Sequence, residues 1–190
     1  MPELQELLVE GMQDLLHAEH QILKALPKMA KAAHESELKQ AFENHLEQTQ
    51  SHVERLEEAF QDLGVKPKTK VCKGMQGLIE EGQEKITEGK KKQESTADLE
   101  LAAAAQKVEH YEISGYGTMR TIAETLSLRT VMKLLSETLA EEEKTDEILT
   151  QICTTILDEA SQKSETDAGK RKSAASKTAS GGKAAHSGPR

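Results

Sequence analysis

A carboxylate in an apolar position restricts this fold more than any other feature of the sequence. Over residues 102–118, Ala102, Ala105, Ile113 and Tyr116 recur at three- and four-residue steps, the stripe of an amphipathic helix. Glu109 occupies the middle of that stripe, within roughly 20° of its line at about 100° per residue, and Glu112 lies about 60° to one side. A buried carboxylate without a partner costs several kcal/mol, so a fold that accepts this one must place positive charge beside it.

The same anomaly recurs along the chain. A first helix, from about Glu3 to Ala33, has the stripe Leu4, Leu8, Met12, Leu15, Ile22, Leu26 and Met29, with Glu19 inside it; Pro27 predicts a kink or local break. Ser36 caps a second helix running to Leu63, with Gly64 just past its end and Pro67 beyond. Its inward face carries Phe42, Leu46, Thr49, Val53, Leu56 and Phe60, with His45 and His52 flanking Thr49. Residues 65–95 are punctuated by Gly74, Gly77, Gly82 and Gly89 around a short helical piece, Met75 to Thr87, and read as a crossover along a bundle. Ser95 or Thr96 then caps a third long helix, to about Thr125, which holds Glu109 and Glu112. A break near Ser127 leads to a fourth, about Arg129 to Ala160, whose stripe of Val131, Leu135, Thr138, Thr145, Leu149, Ile152 and Ile156 is centred on Glu142. Asp146 lies one turn on, about 40° away.

This pattern is all-α. Among the 190 residues β-branched side chains form no alternating run, and no stretch of 18 apolar residues is long enough to span a membrane. The net charge of −8 opposes a folded surface that grips nucleic acid or anionic lipid. The acidic, amphipathic start lacks the basic and apolar blocks of a signal peptide, and Cys72 and Cys153 have no metal-type spacing; a reducing cytoplasm is the expected location. From Gln162 to Arg190 the apolar period stops. The expected organisation is a helical domain over residues 1–161 and a disordered tail over 162–190. That tail holds seven basic and two acidic residues, a net +5 against −13 for the rest, so weak, sequence-indifferent contact with nucleic-acid phosphates is its expected partner chemistry beside simple solubilisation.

Any one inward acid could be a solvated residue on a misphased helix edge. Stripes centred independently on Glu19, Glu109 and Glu142, with Glu112 and Asp146 beside them, argue together for a buried cluster. Lys24, Lys28, Arg55, Lys107 and Lys133 phase outward, and Arg120, which phases inward, lies about three turns from Glu109, so side chains do not easily supply the missing charge. Two divalent metal ions do, and carboxylate with imidazole suits iron, or manganese, better than a thiolate-type zinc site. Carboxylate-rich bundles hold such pairs with one Glu from each of two helices and a Glu-x-x-His pair from each of the others. The match here is partial. Helix two offers Thr49-x-x-His52 and helix four Glu142-x-x-Thr145, while Glu47 and Glu143 phase about 120–140° from the core. The predicted metal ligands are Glu19, His52, Glu109, Glu112, Glu142 and Asp146. His45, two turns before His52, is either a satisfied core histidine or a partner of a ligand.

Four segments carry a resemblance to a known family: residues 45–49 (HLEQT), 75–81 (MQGLIEE), 103–112 (AAAQKVEHYE) with 116–118 (YGT), and Glu141-Glu142 with Thr145-Asp146. Over about residues 3 to 160 the chain resembles the YciF-type (YciE/YciF) ferritin-like stress proteins of bacteria. The resemblance implies a ferritin-like four-helix bundle, a homodimer and a di-metal site related to rubrerythrin. It implies no settled reaction. Two function classes follow: a di-iron oxidoreductase acting on O₂ or peroxide or oxidising iron, and a non-enzymatic stress protein whose metals hold the bundle together.

Overall fold

The computed structural model describes the backbone of residues 1–180 and the side chains of residues 1–162. Its helices are α1 (Pro2–Ala32), α2 (Ser36–Asp62), α3 (Lys73–Gly89), α4 (Glu94–Thr125) and α5 (Arg129–Ser180). The chain divides into a unit from Met1 to Cys153 and a second that begins at Thr154 and holds the C-terminal part of α5. Within the first unit α1 packs on α2, α3 and α4, and α3 lies against α4. Leu8, Met12 and Leu15 of α1, Leu56 and Phe60 of α2, Tyr116, Met119 and Ile122 of α4, and Val131 and Leu135 of α5 close one hydrophobic core. This is the expected all-α bundle of four long helices with a helix-bearing crossover between the second and third.

Local chemistry explains the boundaries. Gly64 takes φ +64° after α2, a left-handed conformation that costs glycine little, and Val65 N–H closes back on Phe60 O at 2.9 Å. The segment that follows is pinned along α1: Lys70 N–H donates to Gln13 O at 3.1 Å and Cys72 N–H to His17 Nδ1 at 3.2 Å. Tyr111 of α4 completes the anchor, donating to Asp14 Oδ2 of α1 at 2.8 Å, with Cys72 Sγ also 2.8 Å from its hydroxyl.

Several sequence expectations give way. α1 is helical without interruption across Pro27, which is exposed, so the carbonyl deprived of its N–H partner lies on the solvent side. Glu35, not Ser36, is the N-cap of α2, its carboxylate accepting from Ser36 N–H at 3.0 Å. Buried Asp98 of α4 adds to that cap, accepting from Glu35 N–H at 2.7 Å and His34 N–H at 3.0 Å. α4 starts at Glu94, earlier than a Ser95 or Thr96 cap allows, with Gln93 as N-cap. α5 runs past Ala160 to Ser180. Residues 162–180 have no proline and a single glycine, so helical propensity continues where the apolar period ends. The last ten residues of the expected disordered tail lie outside the described residues. Among the described residues no helix is long and apolar enough to cross a membrane.

Candidate metal centre

Four helices deliver acids and imidazoles to one buried space. Glu19 comes from α1, His45 and His52 from α2, Glu109 and Glu112 from α4, and Glu142 from α5, none more than 2% exposed. They form two overlapping groups. His45, Glu109, Glu112 and Glu142 each offer a donor atom, all within 4.8 Å of one another, and so do Glu19, His52 and Glu142. Glu142 is common to both and its two oxygens divide: Oε1 lies 2.9 Å from His52 Nδ1, and Oε2 lies 3.6 Å from His45 Nε2. On the His45 side Glu109 Oε1 is 3.4 Å from Nε2, and on the other side Glu19 Oε1 is 3.6 Å from His52 Nδ1.

The cluster is unsatisfied as protein alone. Glu19 Oε2, His45 Nε2, His52 Nδ1, Glu109 Oε2 and both carboxylate oxygens of Glu112 and Glu142 are buried without a hydrogen-bond partner. Glu142 Oε1 and His52 Nδ1 approach closely, yet without the directional geometry of a hydrogen bond. Buried polar atoms are nearly always paired, so this many facing one space marks a candidate binding site. Four carboxylates and two imidazoles suit a pair of divalent ions, whose charge the carboxylates cancel. Cys72 and Cys153, the two thiols of the chain, are outside both groups.

Contacts around the cluster leave a nitrogen of each imidazole facing it. His52 Nε2 lies 2.9 Å from Glu141 Oε2, an acceptor, so Nε2 carries the proton of the neutral ring. Arg55 clamps Glu141 with both ends of its guanidinium, Nη1 to Oε2 at 2.7 Å and Nη2 to Oε1 at 2.8 Å. On the other side the Thr145 hydroxyl donates to Glu141 O at 3.0 Å and is therefore left to accept from His45 Nδ1, 3.3 Å away. Thr49 donates to His45 O at 2.8 Å. Tyr116, fully buried, donates to Glu19 Oε1, leaving Oε2 for the cluster.

Burial and mutual repulsion dominate the electrostatics of the metal-free protein. Burial pushes the Glu109 and Glu112 carboxyls well above the usual carboxylate range, with Glu142 adding to both. Burial works against a charged His52, but Glu142 and Glu19 outweigh it and raise its pKa to about 10. Burial raises Glu142 as well, yet His52 and His45 bring it below the ordinary value. The Arg55 guanidinium, with help from His52, holds Glu141 low against a smaller opposing effect of burial. Without metal, protons do part of the neutralising.

A family model described as a domain of unknown function (DUF892) matches residues 3–162. The chain belongs to the DUF892 family. One relative is Protein YciF of Escherichia coli (strain K12), 42% identical over 153 residues, 80% of this chain and 91% of that protein. The crystal structure of that E. coli stress protein superposes with a TM-score of 0.79 at 40% identity over 83% of this chain and 99% of its own. YcfI from Rhodopseudomonas palustris superposes with a TM-score of 0.74 at 40% identity, covering 77% of this chain and 92% of its own. Ferritin-like, di-iron-carboxylate proteins from Bacillus anthracis str. Ames share the fold, with a TM-score of 0.61 at 21% identity over 80% of this chain and 99% of theirs.

Within this DUF892 fold the bundle brings together Glu19, His52, Glu109, Glu112 and Glu142. Asp146 is not among them. Its Oδ1 accepts from Gln106 Nε2 at 3.1 Å and lies 3.4 Å from His110 Nε2, at a partly exposed edge of the α4–α5 seam. One turn past Glu142 is too far along α5 for a short aspartate side chain. His45 takes the sixth place, and the spacing held a signal for it: seven residues separate it from His52, so both rings leave one face of α2 two turns apart. Thr145 occupies the position of the histidine in a Glu-x-x-His motif of α5, and its hydroxyl receives His45 from the facing helix instead. Four Glu and two His is the composition of the usual di-metal set, here distributed differently among the helices. Arg55 phases outward, but its long side chain reaches back to Glu141 at the rim.

Proposed function

We propose that this chain is a di-metal protein whose bundle holds two divalent ions, iron first and manganese as the alternative, for redox chemistry with a small oxidant such as O₂ or peroxide. The observation that carries the reading is the set of partnerless donor atoms from six buried side chains facing one space. Glu19 with His52 would serve one ion, Glu109 with His45 the other. Glu142 would join them, and Glu112, whose carboxyl feels both Glu109 and Glu19, stands beside both. When bound, such an ion pair supplies or takes up electrons at neutral pH, chemistry that no side chain here provides.

The protein's own contribution is to position donors and manage protons. Arg55 and Glu141 fix one imidazole, Thr145 the other, and Tyr116 fixes one oxygen of Glu19. Burial keeps bulk water off the carboxylates, and the protons held by Glu109, Glu112 and His52 must leave before ions bind. The test is anaerobic loading with Fe(II), metal analysis per chain, then absorbance after a pulse of H₂O₂ or O₂. About two ions per chain, oxidised in the pulse, is the expected result. No bound iron sinks the reading; bound iron that neither oxidant touches makes the ions structural.

A further inference from the structure

The two imidazoles are held by unlike partners. His52 Nε2 donates to Glu141, a carboxylate pinned by both terminal nitrogens of Arg55, whereas His45 Nδ1 meets the neutral Thr145 hydroxyl at 3.3 Å and Gln48 Oε1 at 3.4 Å. A carboxylate behind a ligating imidazole raises the basicity of the far nitrogen and fixes its orientation; a hydroxyl fixes orientation far less and adds no charge. Glu141 has no donor atom in either ligand group, although its chain neighbour Glu142 belongs to both. Its carboxylate is turned to the α2 side, where a partly exposed seam lets Arg55 reach it. The Arg55–Glu141 pair therefore touches one side of the cluster.

We infer that Glu141, clamped by Arg55, is a positioning residue that acts through His52 on one ion position alone and makes the two positions of the pair unequal. This rests on the di-metal reading above. Glu141 gains no contact with an ion. It holds the His52 ring so that Nδ1 faces Glu142 and Glu19, and its charge strengthens that nitrogen as a donor. The His45 position lacks such support and depends on the acids around it.

The test is titration of the full-length, metal-free protein with Co²⁺, followed by visible absorbance and calorimetry, in Glu141→Ala, Glu141→Gln and each histidine variant. The wild type should take up two ions per chain. Glu141→Ala should weaken one of them by about 10–100-fold and leave the other unchanged, and Glu141→Gln, which keeps an acceptor for Nε2, should recover part of the loss. In a His52→Ala background Glu141→Ala should add nothing, while in a His45→Ala background its full effect should persist. Equal weakening of both ions, no weakening of either, or an effect that survives His52→Ala overturns the inference and leaves the di-metal reading standing. A wild type that binds no Co²⁺ overturns both.

Discussion

Glu142 and Glu143 are neighbours in sequence with opposite environments. Glu142 is fully buried and shared by both candidate donor groups, whereas Glu143 points to solvent about 100° round the helix. Glu142→Ala should therefore reduce metal content from about two ions per chain to near none, and Glu143→Ala should leave it unchanged, as read by elemental analysis of the purified proteins. Equal loss in both would mean that bulk acidity rather than position holds the ions. Helical phase found Glu142, Glu109 and Glu19 in the sequence because each interrupts an apolar stripe, with Glu112 beside Glu109, and their recurrence on three helices argues for an inward direction that no single acid establishes. Phase alone could not separate His45 from Asp146. Both lie close to the cluster's side of their helices, and what decides between them is reach along the axis and the partner each meets across the seam. That information belongs to the packed bundle.

At the level of elements, the long helices were legible because their apolar periods run for many turns, and Gly64 marks the end of α2 by a conformation few other residues adopt. Caps and the end of α5 were less so. Asp98 completes the α2 cap from a different helix, and no local reading of residues 33–37 can supply it. The crossover shows how packing decides the role of a glycine. A methyl group on Gly74 would come within 2.7 Å of the Tyr111 ring, whose hydroxyl is tied to Asp14 and Cys72, while one on Gly77 would meet nothing within 4 Å. Gly74→Ala must push a rigid ring off its anchors and should destabilise the fold by about 1–3 kcal/mol. Gly77→Ala relieves the entropy cost of a helical glycine and should stabilise it by about 0.5–1 kcal/mol. Urea unfolding of the two variants checks the contrast. If both move stability the same way, the contact between α3 and Tyr111 does not constrain the crossover.

For the molecule as a whole, the proposed di-metal site predicts that buried acids give metal-free and metal-loaded protein opposite responses to pH. The carboxyls of Glu109 and Glu112 ionise well above their ordinary range in the folded, metal-free state, mainly because they are buried, but near pH 4.3 in the unfolded chain. Stability from their protonated forms is full below the unfolded value and drains away as pH rises toward the folded one. His52 acts in the same direction: its folded pKa of about 10 exceeds the ordinary imidazole value of 6.5, so its contribution is complete below about pH 6.5 and is lost as pH climbs toward 10. Glu142, held low by His52 and His45 despite its burial, opposes them only on acidification below the ordinary carboxylate range. The metal-free protein should thus be most stable near about pH 5 and lose stability steadily toward about pH 9. Ions reverse this. They bind the deprotonated groups, so their affinity grows over the same interval, and a free concentration about 100-fold above Kd adds about 2.7 kcal/mol. Thermal melts with Mn²⁺ and after chelation, taken at about pH 5, 7 and 9, should show a gap in Tm that widens as pH rises. A gap that stays constant, or a metal-free protein that melts higher at pH 9 than at pH 5, would mean that the buried carboxylates are neutralised by something other than protons and metal.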